Sequence, residues 1–270
     1  MAALKSDPDR PNAKTDGDDG SPLARVMREF EDLVLRLETG LLRSLDDARS
    51  RSPEHKGWRR DDVRQEACRL AMAELGAKYT RRQIRRSLCH AEAQGRRAEQ
   101  QLHAAADAGL VGDDDELRGI HHGYFRLYST ELFDMLGQPT DLRLGTVRFH
   151  HHADVHMHPS RQEEPGPVSV ELALGSSFFV AESLDTLPYH AFKLPPAPSL
   201  QNRGILSRKP EDNGAFPDYD SWLLFTFLGN GCLKLEVPIE MCADVYGGPL
   251  RGRENEEIHF WGVFVDDEAP

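Results

Sequence analysis

The spacing of apolar residues changes period near Gln138, and this change limits the fold of the chain more tightly than any other feature. Upstream, large apolar side chains recur at intervals of three and four, which gathers them on one face of a helix. Downstream they alternate, which gathers them on one face of a strand. The expectation is an α+β protein, with an antiparallel helical bundle over 21–137 followed by a compact antiparallel β-sandwich or barrel over 141–267.

In the first half, Ser21-Pro22 offers an N-cap and a first-turn proline, and Val26, Phe30, Leu33, Leu37, Leu41 and Leu45 follow on one face to about Ala48. Asp61–Leu75 reads as a second helix. Asp61 and Asp62 sit at its positive end, Val63, Ala67, Leu70 and Ala71 face inward, and Gly76 supplies its stop. Thr80-Arg-Arg-Gln83 is a capping box. Ile84, Leu88, Ala91, Gly95, Ala98, Leu102 and Ala105 then form a heptad seam of mostly small residues, suited to close helix–helix packing and to self-association. A fourth helix is expected over 115–136, from Leu117, Ile120, Tyr124, Leu127, Tyr128, Leu132 and Met135. Residues 1–20 hold almost no large apolar side chain, cannot offset the entropy of ordering, and are expected to form a disordered tail.

In the second half, Val168, Val170, Leu172 and Leu174 alternate, with further strands expected around Val147–Phe149, Phe178–Ala181, Tyr189–Leu194 and Ile258–Val265. Trp222–Leu228 and Cys232–Val237 flank Gly229-Asn230-Gly231, the pattern of a β-hairpin. The span 195–220 reads as one long Pro-rich loop, and six to eight short strands are expected in all.

Composition narrows the function classes. With 33 basic and 45 acidic residues the net charge is −12, which argues against a general affinity for nucleic acid or anionic lipid. No run approaches the roughly 18 apolar residues of a membrane span, and the first residues lack the apolar core of a secretory signal. Cys68, Cys89, Cys232 and Cys242 form no CxxC pair and read as free thiols, so a cytoplasmic or nuclear location is expected.

Two constellations carry candidate chemistry. The first is His150-His151-His152-Ala153-Asp154-Val155-His156-Met157-His158. On a strand, His150, His152, His156 and His158 share a face, and a His-x-His pair can converge on one divalent metal such as zinc if a further strand supplies a third ligand. Glu163, Glu171, His190 and His259 are the available third ligands. No other cofactor is expected. Asp154-x-His156-x-His158 is similar to the motif of amidohydrolase barrels, although the 112 residues that follow are too few for the remaining barrel units. His150-x-His152-x-Asp154 is similar to the metallo-β-lactamase motif, with the next histidine one residue late. His156-x-His158 with Glu163 is similar to the first cupin motif, with no second motif to match.

The second constellation is basic. Between Lys56 and Arg97 twelve basic residues face five acidic ones. Helix, turn at Gly76 and helix resemble a helix-turn-helix, in which Arg81, Arg82, Arg85 and Arg86 would meet nucleic acid. No nucleophile elbow, phosphate loop or HExxH occurs, catalytic residues stay unassigned, and whether the chain is an enzyme is left open. The favoured expectation is a non-enzymatic protein-interaction module, ahead of a metal-dependent enzyme and a DNA-binding protein.

Overall fold

A computed structural model describes residues 21–51, 59–109, 117, 119–151, 167–184, 192–208, 221–253 and 255–267. The expected tail over 1–20 lies outside these residues. The protein is α+β: a helical N-terminal region precedes an antiparallel eight-stranded sheet that is nearly closed into a barrel. The chain divides into two compact units between Tyr79 and Thr80, inside one long helix.

The first unit is a helical hairpin. Helix α1 spans Pro22–Arg51 and α2 spans Arg60–Asp107, its first twenty residues belonging to this unit. Ser21 caps α1, its Oγ accepting from Ala24 N at 3.0 Å. Asp62 reaches back to the Arg59 N–H at 3.1 Å at the start of α2. Leu33 and Val34 of α1 bury against Ala67, Ala71 and Leu75 of α2, with Phe30, Leu37, Leu41, Cys68 and Tyr79 packed around them. Glu29 pairs with Lys78 and accepts from the Tyr79 hydroxyl, and Arg36 pairs with Glu74 at 3.1 Å, so the two helices run antiparallel.

Gly76 does not stop the second helix, as the sequence suggested; α2 runs through it and through Thr80 as 48 unbroken residues. A glycine ends a helix only where its freedom is used in a left-handed turn, and Gly76 shows no positive φ. A methyl group there would meet nothing within 4 Å. Gly76→Ala is therefore expected to stabilise the hairpin by about 1 kcal/mol, read as a higher melting midpoint for helical circular dichroism.

The second unit holds the rest of α2 and the sheet. Its strands are β1 Gly123–Tyr128, β2 Thr146–His151, β3 Val168–Leu174, β4 Ser177–Glu182, β5 Arg203–Ser207, β6 Ser221–Gly229, β7 Cys232–Pro238 and β8 Glu257–Asp266. Short helices α3, Thr130–Met135, and α4, Ile239–Tyr246, link strands. The order β4-β3-β2-β1-β8-β7-β6-β5 is a circular meander in which every pair is antiparallel. Across the remaining gap Val180 of β4 and Arg208, just after β5, exchange two backbone hydrogen bonds of 2.8 and 2.9 Å. Alternating residues fill the interior, with Phe125, Phe149, Phe225, Phe227 and Phe260 all at most 1% exposed. Phe149 meets Phe225 edge to face at 5.2 Å. The expected hairpin forms, with Asn230 and Gly231 both at positive φ between β6 and β7.

Three expectations need correction. The fourth helix over 115–136 does not form; that stretch gives β1 and the six-residue α3. Gly123-Tyr-Phe-Arg-Leu-Tyr128 fits either period, and the sheet selects the pleat, because Phe125 and Leu127 alternate into the barrel while Gly123 lies where a Cβ would come 2.2 Å from the Val265 carbonyl. The span 195–220 is not one loop, because β5 crosses it: Gly204-Ile-Leu206 is short, and flanking prolines mask it. The part of the expected strand 189–194 that is described, residues 192–194, is not strand.

The heptad seam is buried as its spacing predicts, but the sheet lies against it and not a second helix. Leu88, Ala91, Gly95 and Ala98 line the inner face of α2. Ala98 packs with Leu228, Cys232 and Trp261, and Leu102 and Leu200 flank them. Small residues are needed because an indole, not a leucine, occupies the facing surface. The middle of the seam, from Leu88 to Ala98, is thus covered within its own unit, while Ile84, Leu102 and Ala105 are half-buried.

Candidate functional site

The two predicted constellations separate in the structure. His150 lies on β2 with Nε2 3.1 Å from Glu171 Oε2 on β3. His152, His156 and His158, along with Glu163 and His190, lie outside the described residues. His259 is on β8, elsewhere on the barrel. Among the described residues no three His, Cys, Asp or Glu side chains are placed to hold a metal ion.

A different histidine group forms at that end of β2. His121 lies against His122, the rings tilted by 43° with centroids 4.1 Å apart, and meets the His151 ring edge-on at 5.2 Å. Burial, and then the neighbouring His122 and His151, hold the His121 imidazole below its ordinary range. The His-His pair at 121–122 sat inside the expected fourth helix, so sequence spacing could not bring it to His151. The linkage has a definite sign. The folded state resists protonating His121 while the unfolded state accepts the proton, so stability falls as pH drops below the usual histidine range of about 6.5. His121→Gln should therefore lose less stability than the parent chain between pH 7.5 and pH 5.5, measured as the shift in urea midpoint. Equal shifts in the two proteins would remove this role.

The four arginines divide in pairs. Arg81 donates from Nε to the Gln138 carbonyl at 3.0 Å, and Arg85 grips Asp134 in a bidentate pair at 2.9 and 3.1 Å. Both therefore tie α2 to α3 and the turn after it. Arg82 and Arg86 are exposed, on the side of α2 turned away from the seam. Because α2 is continuous, the turn of a helix-turn-helix is absent. Sequence reading cannot separate such pairs, since all four residues look equally free until Asp134 is placed.

A cavity of about 290 Å³ in the second unit is lined by Glu92, Arg96, Thr130, Glu131, Lys234, His259 and Trp261. Glu92 anchors it. Its carboxylate, only 8% exposed, accepts from Thr130 N at 2.6 Å and Thr130 Oγ1 at 2.7 Å, and pairs with Arg96 at 2.9 Å. Ser129 caps the same helix, accepting from Leu132 N at 3.1 Å. Lys234 pairs with Glu236 at 3.3 Å, and His259 lies 3.7 Å from Glu131 and 3.9 Å from Glu236. Glu92, Arg96 and Lys234 each have an opposite charge from the protein beside them, and the Glu92 carboxylate ties α2 to the start of α3. The thiol of Cys242, on α4 and buried in the core of the β-unit, is pushed up to about 12 by burial and stays protonated at neutral pH.

The remaining feature is apolar and belongs to the first unit. Among the described residues the exposed large apolar side chains are Leu23, Met27, Leu35, Met72, Phe178 and Leu184, and four of these six stand on the helical hairpin. Among the described side chains of α1, only Leu33 and Val34 are fully buried. At 100° per residue, Met27, Leu35, Leu42 and Leu45 lie roughly 60° to 140° round from the stripe that meets α2, so they form a second stripe. Met72 on α2 is turned about 120° from the centre of Val63, Ala67, Ala71 and Leu75. Because the helices run antiparallel, those rotations put Met72 and the second stripe of α1 on the same flank of the hairpin. A cleft of about 600 Å³ opens beside Met72, lined by Asp62, Gln65, Glu66, Cys68 and Arg69. The three-four intervals of α1 from Val26 to Leu45 predict one buried face; Met27, Leu35 and Leu42 fall outside that spacing, and Leu45 stands at its edge. Comparison of the chain with protein-family models, with curated proteins and with solved structures finds no match.

Proposed function

We propose that this chain is a non-enzymatic protein-interaction module whose helical hairpin engages another polypeptide along the flank of Met27, Leu35, Leu42, Leu45 and Met72. The observation that supports this reading is the width of the apolar arc on α1. A helix with one neighbour needs a single stripe of about 100°. The arc on α1 extends across about half the helix circumference, enough for two neighbours, and among the described residues of the hairpin its packing partner is α2. An amphipathic helix laid into the flank would bury Leu35 and Met72, now 66% and 61% exposed. Large apolar groups collected on one side of a small unit mark interaction surfaces more reliably than single exposed leucines do.

A photoreactive amino acid in place of Leu35, introduced into the full chain in the cells that make it, tests this reading. The expected result is a discrete higher-mass adduct on irradiation. The same group at Arg82, outside the flank, should give none. Irradiated chain that stays at its own mass from both Leu35 and Met72 would refute the proposal.

A further inference from the structure

We infer that the polypeptide seated on this flank is a second copy of the chain, and that two hairpins close into an antiparallel four-helix bundle. The inference rests on the interaction reading above and adds the identity of the partner. Two observations select a copy of the chain itself.

The first is the kind of surface that must be matched. The open flank presents one apolar stripe from α1, with Met72 of α2 beside it. The complement of such a flank is another helix pair with the same two elements. In a four-helix bundle each helix touches two neighbours, which is the arc that α1 has and a lone hairpin leaves half covered. A two-fold axis laid along the flank brings the same patch from both chains together, the commonest arrangement of soluble homo-oligomers.

The second observation is charge. Overall the chain is strongly acidic, at −12. The hairpin is not. Helix α1 carries six arginines, at 25, 28, 36, 43, 49 and 51, and six carboxylates, at 29, 31, 32, 38, 46 and 47. The α2 segment from Arg60 to Tyr79 carries four basic and four acidic side chains. The acidic excess therefore lies entirely outside the two helices that bear the flank. A surface with no net charge and both signs interspersed can meet its own copy without the repulsion that two strongly acidic faces would suffer. A basic partner would be expected opposite an acidic hairpin, and an acidic partner opposite a basic one; a balanced hairpin fits itself.

Sedimentation equilibrium of the full chain over a concentration series up to about 100 µM tests the inference. The expected result is a reversible monomer–dimer equilibrium with a micromolar dissociation constant. Leu35→Asp combined with Met72→Asp should weaken it by at least ~100-fold, because each carboxylate would be desolvated in the interface. Both residues are exposed in the single chain, so helical circular dichroism should be unchanged. A chain that stays monomeric up to the highest concentration overturns the inference, as does a dimer whose strength the double substitution leaves untouched. Photo-adducts from Leu35 in cells together with a monomeric purified chain would remove the second copy as partner and leave the interaction reading standing.

Discussion

Gly95→Val is expected to destabilise the sheet-bearing unit by about 3 kcal/mol, near the upper end of overpacking costs. A Cβ on Gly95 would stand 2.2 Å from Cε3 of Trp261 and 2.9 Å from Cδ2, well inside contact distance. The indole cannot swing clear. It is 7% exposed and held by Ala98, Leu228 and Cys232. Valine therefore forces either α2 off the sheet or the ring off its rotamer. The urea midpoint of the β-unit reads the effect. Trp261→Leu in the same chain should recover a large part of the loss, since the two sites touch and their effects cannot add. If Gly95→Val unfolds at the parent midpoint, the placement of the seam on Trp261 is wrong.

The second large effect is expected at Glu92. Its carboxylate accepts two short hydrogen bonds from Thr130 and is nearly buried. Hydrogen bonds to a charged group are worth about 1.5–3 kcal/mol each, and Glu92→Ala also leaves the Thr130 N–H without an acceptor. A loss of about 3 kcal/mol is expected, with Glu92→Gln retaining part of it through the remaining carbonyl oxygen. Arg96 gives a contrast. Its side chain is 61% exposed, so its ion pair with Glu92 is screened by water and Arg96→Ala should cost under about 1 kcal/mol. Equal losses for Glu92→Ala and Arg96→Ala in urea unfolding would mean that the salt bridge, and not the contact with the start of α3, is what matters.

Gly95 and Glu92 also show where sequence reading succeeds and where it stops. The seam from Ile84 to Ala105 was legible because burial follows the helical period whatever lies opposite. What lay opposite was not legible, since small residues accommodate a neighbouring helix and an indole equally well. The β3 strand, the hairpin at Asn230-Gly231 and β8 were readable from alternation and turn chemistry, which are local. β1 was not, because Leu117, Ile120, Tyr124 and Leu127 satisfy a helical spacing and only the pairing with β2 and β8 decides for a strand. Gly76 misled for a similar reason: a glycine marks a helix end only when the chain beyond it turns, and here α2 continues.

The candidate sites were legible to a smaller degree. Four closely spaced arginines announced a basic patch, yet two of them are fixed by Gln138 and Asp134, 57 and 49 residues away along the chain. The histidine run drew attention to His150, while the ring cluster of His121, His122 and His151 depends on a strand pairing that no spacing reveals. The flank of the hairpin was visible in principle. Met27, Leu35 and Leu42 are apolar residues left over once one stripe of α1 has been assigned, Leu45 stands at the edge of that stripe, and such a remainder on one side of a helix is the signal that a second neighbour is required.

Methionine oxidation followed by mass spectrometry tests that requirement most directly, because Met27 and Met72 both stand on the flank. In the full chain at high concentration both should resist peroxide, and both should become reactive on dilution as the flank is uncovered. If they oxidise at the rate of fully exposed methionine at every concentration, and do so inside the cell as well, nothing covers the hairpin and its role as an interaction surface is contradicted.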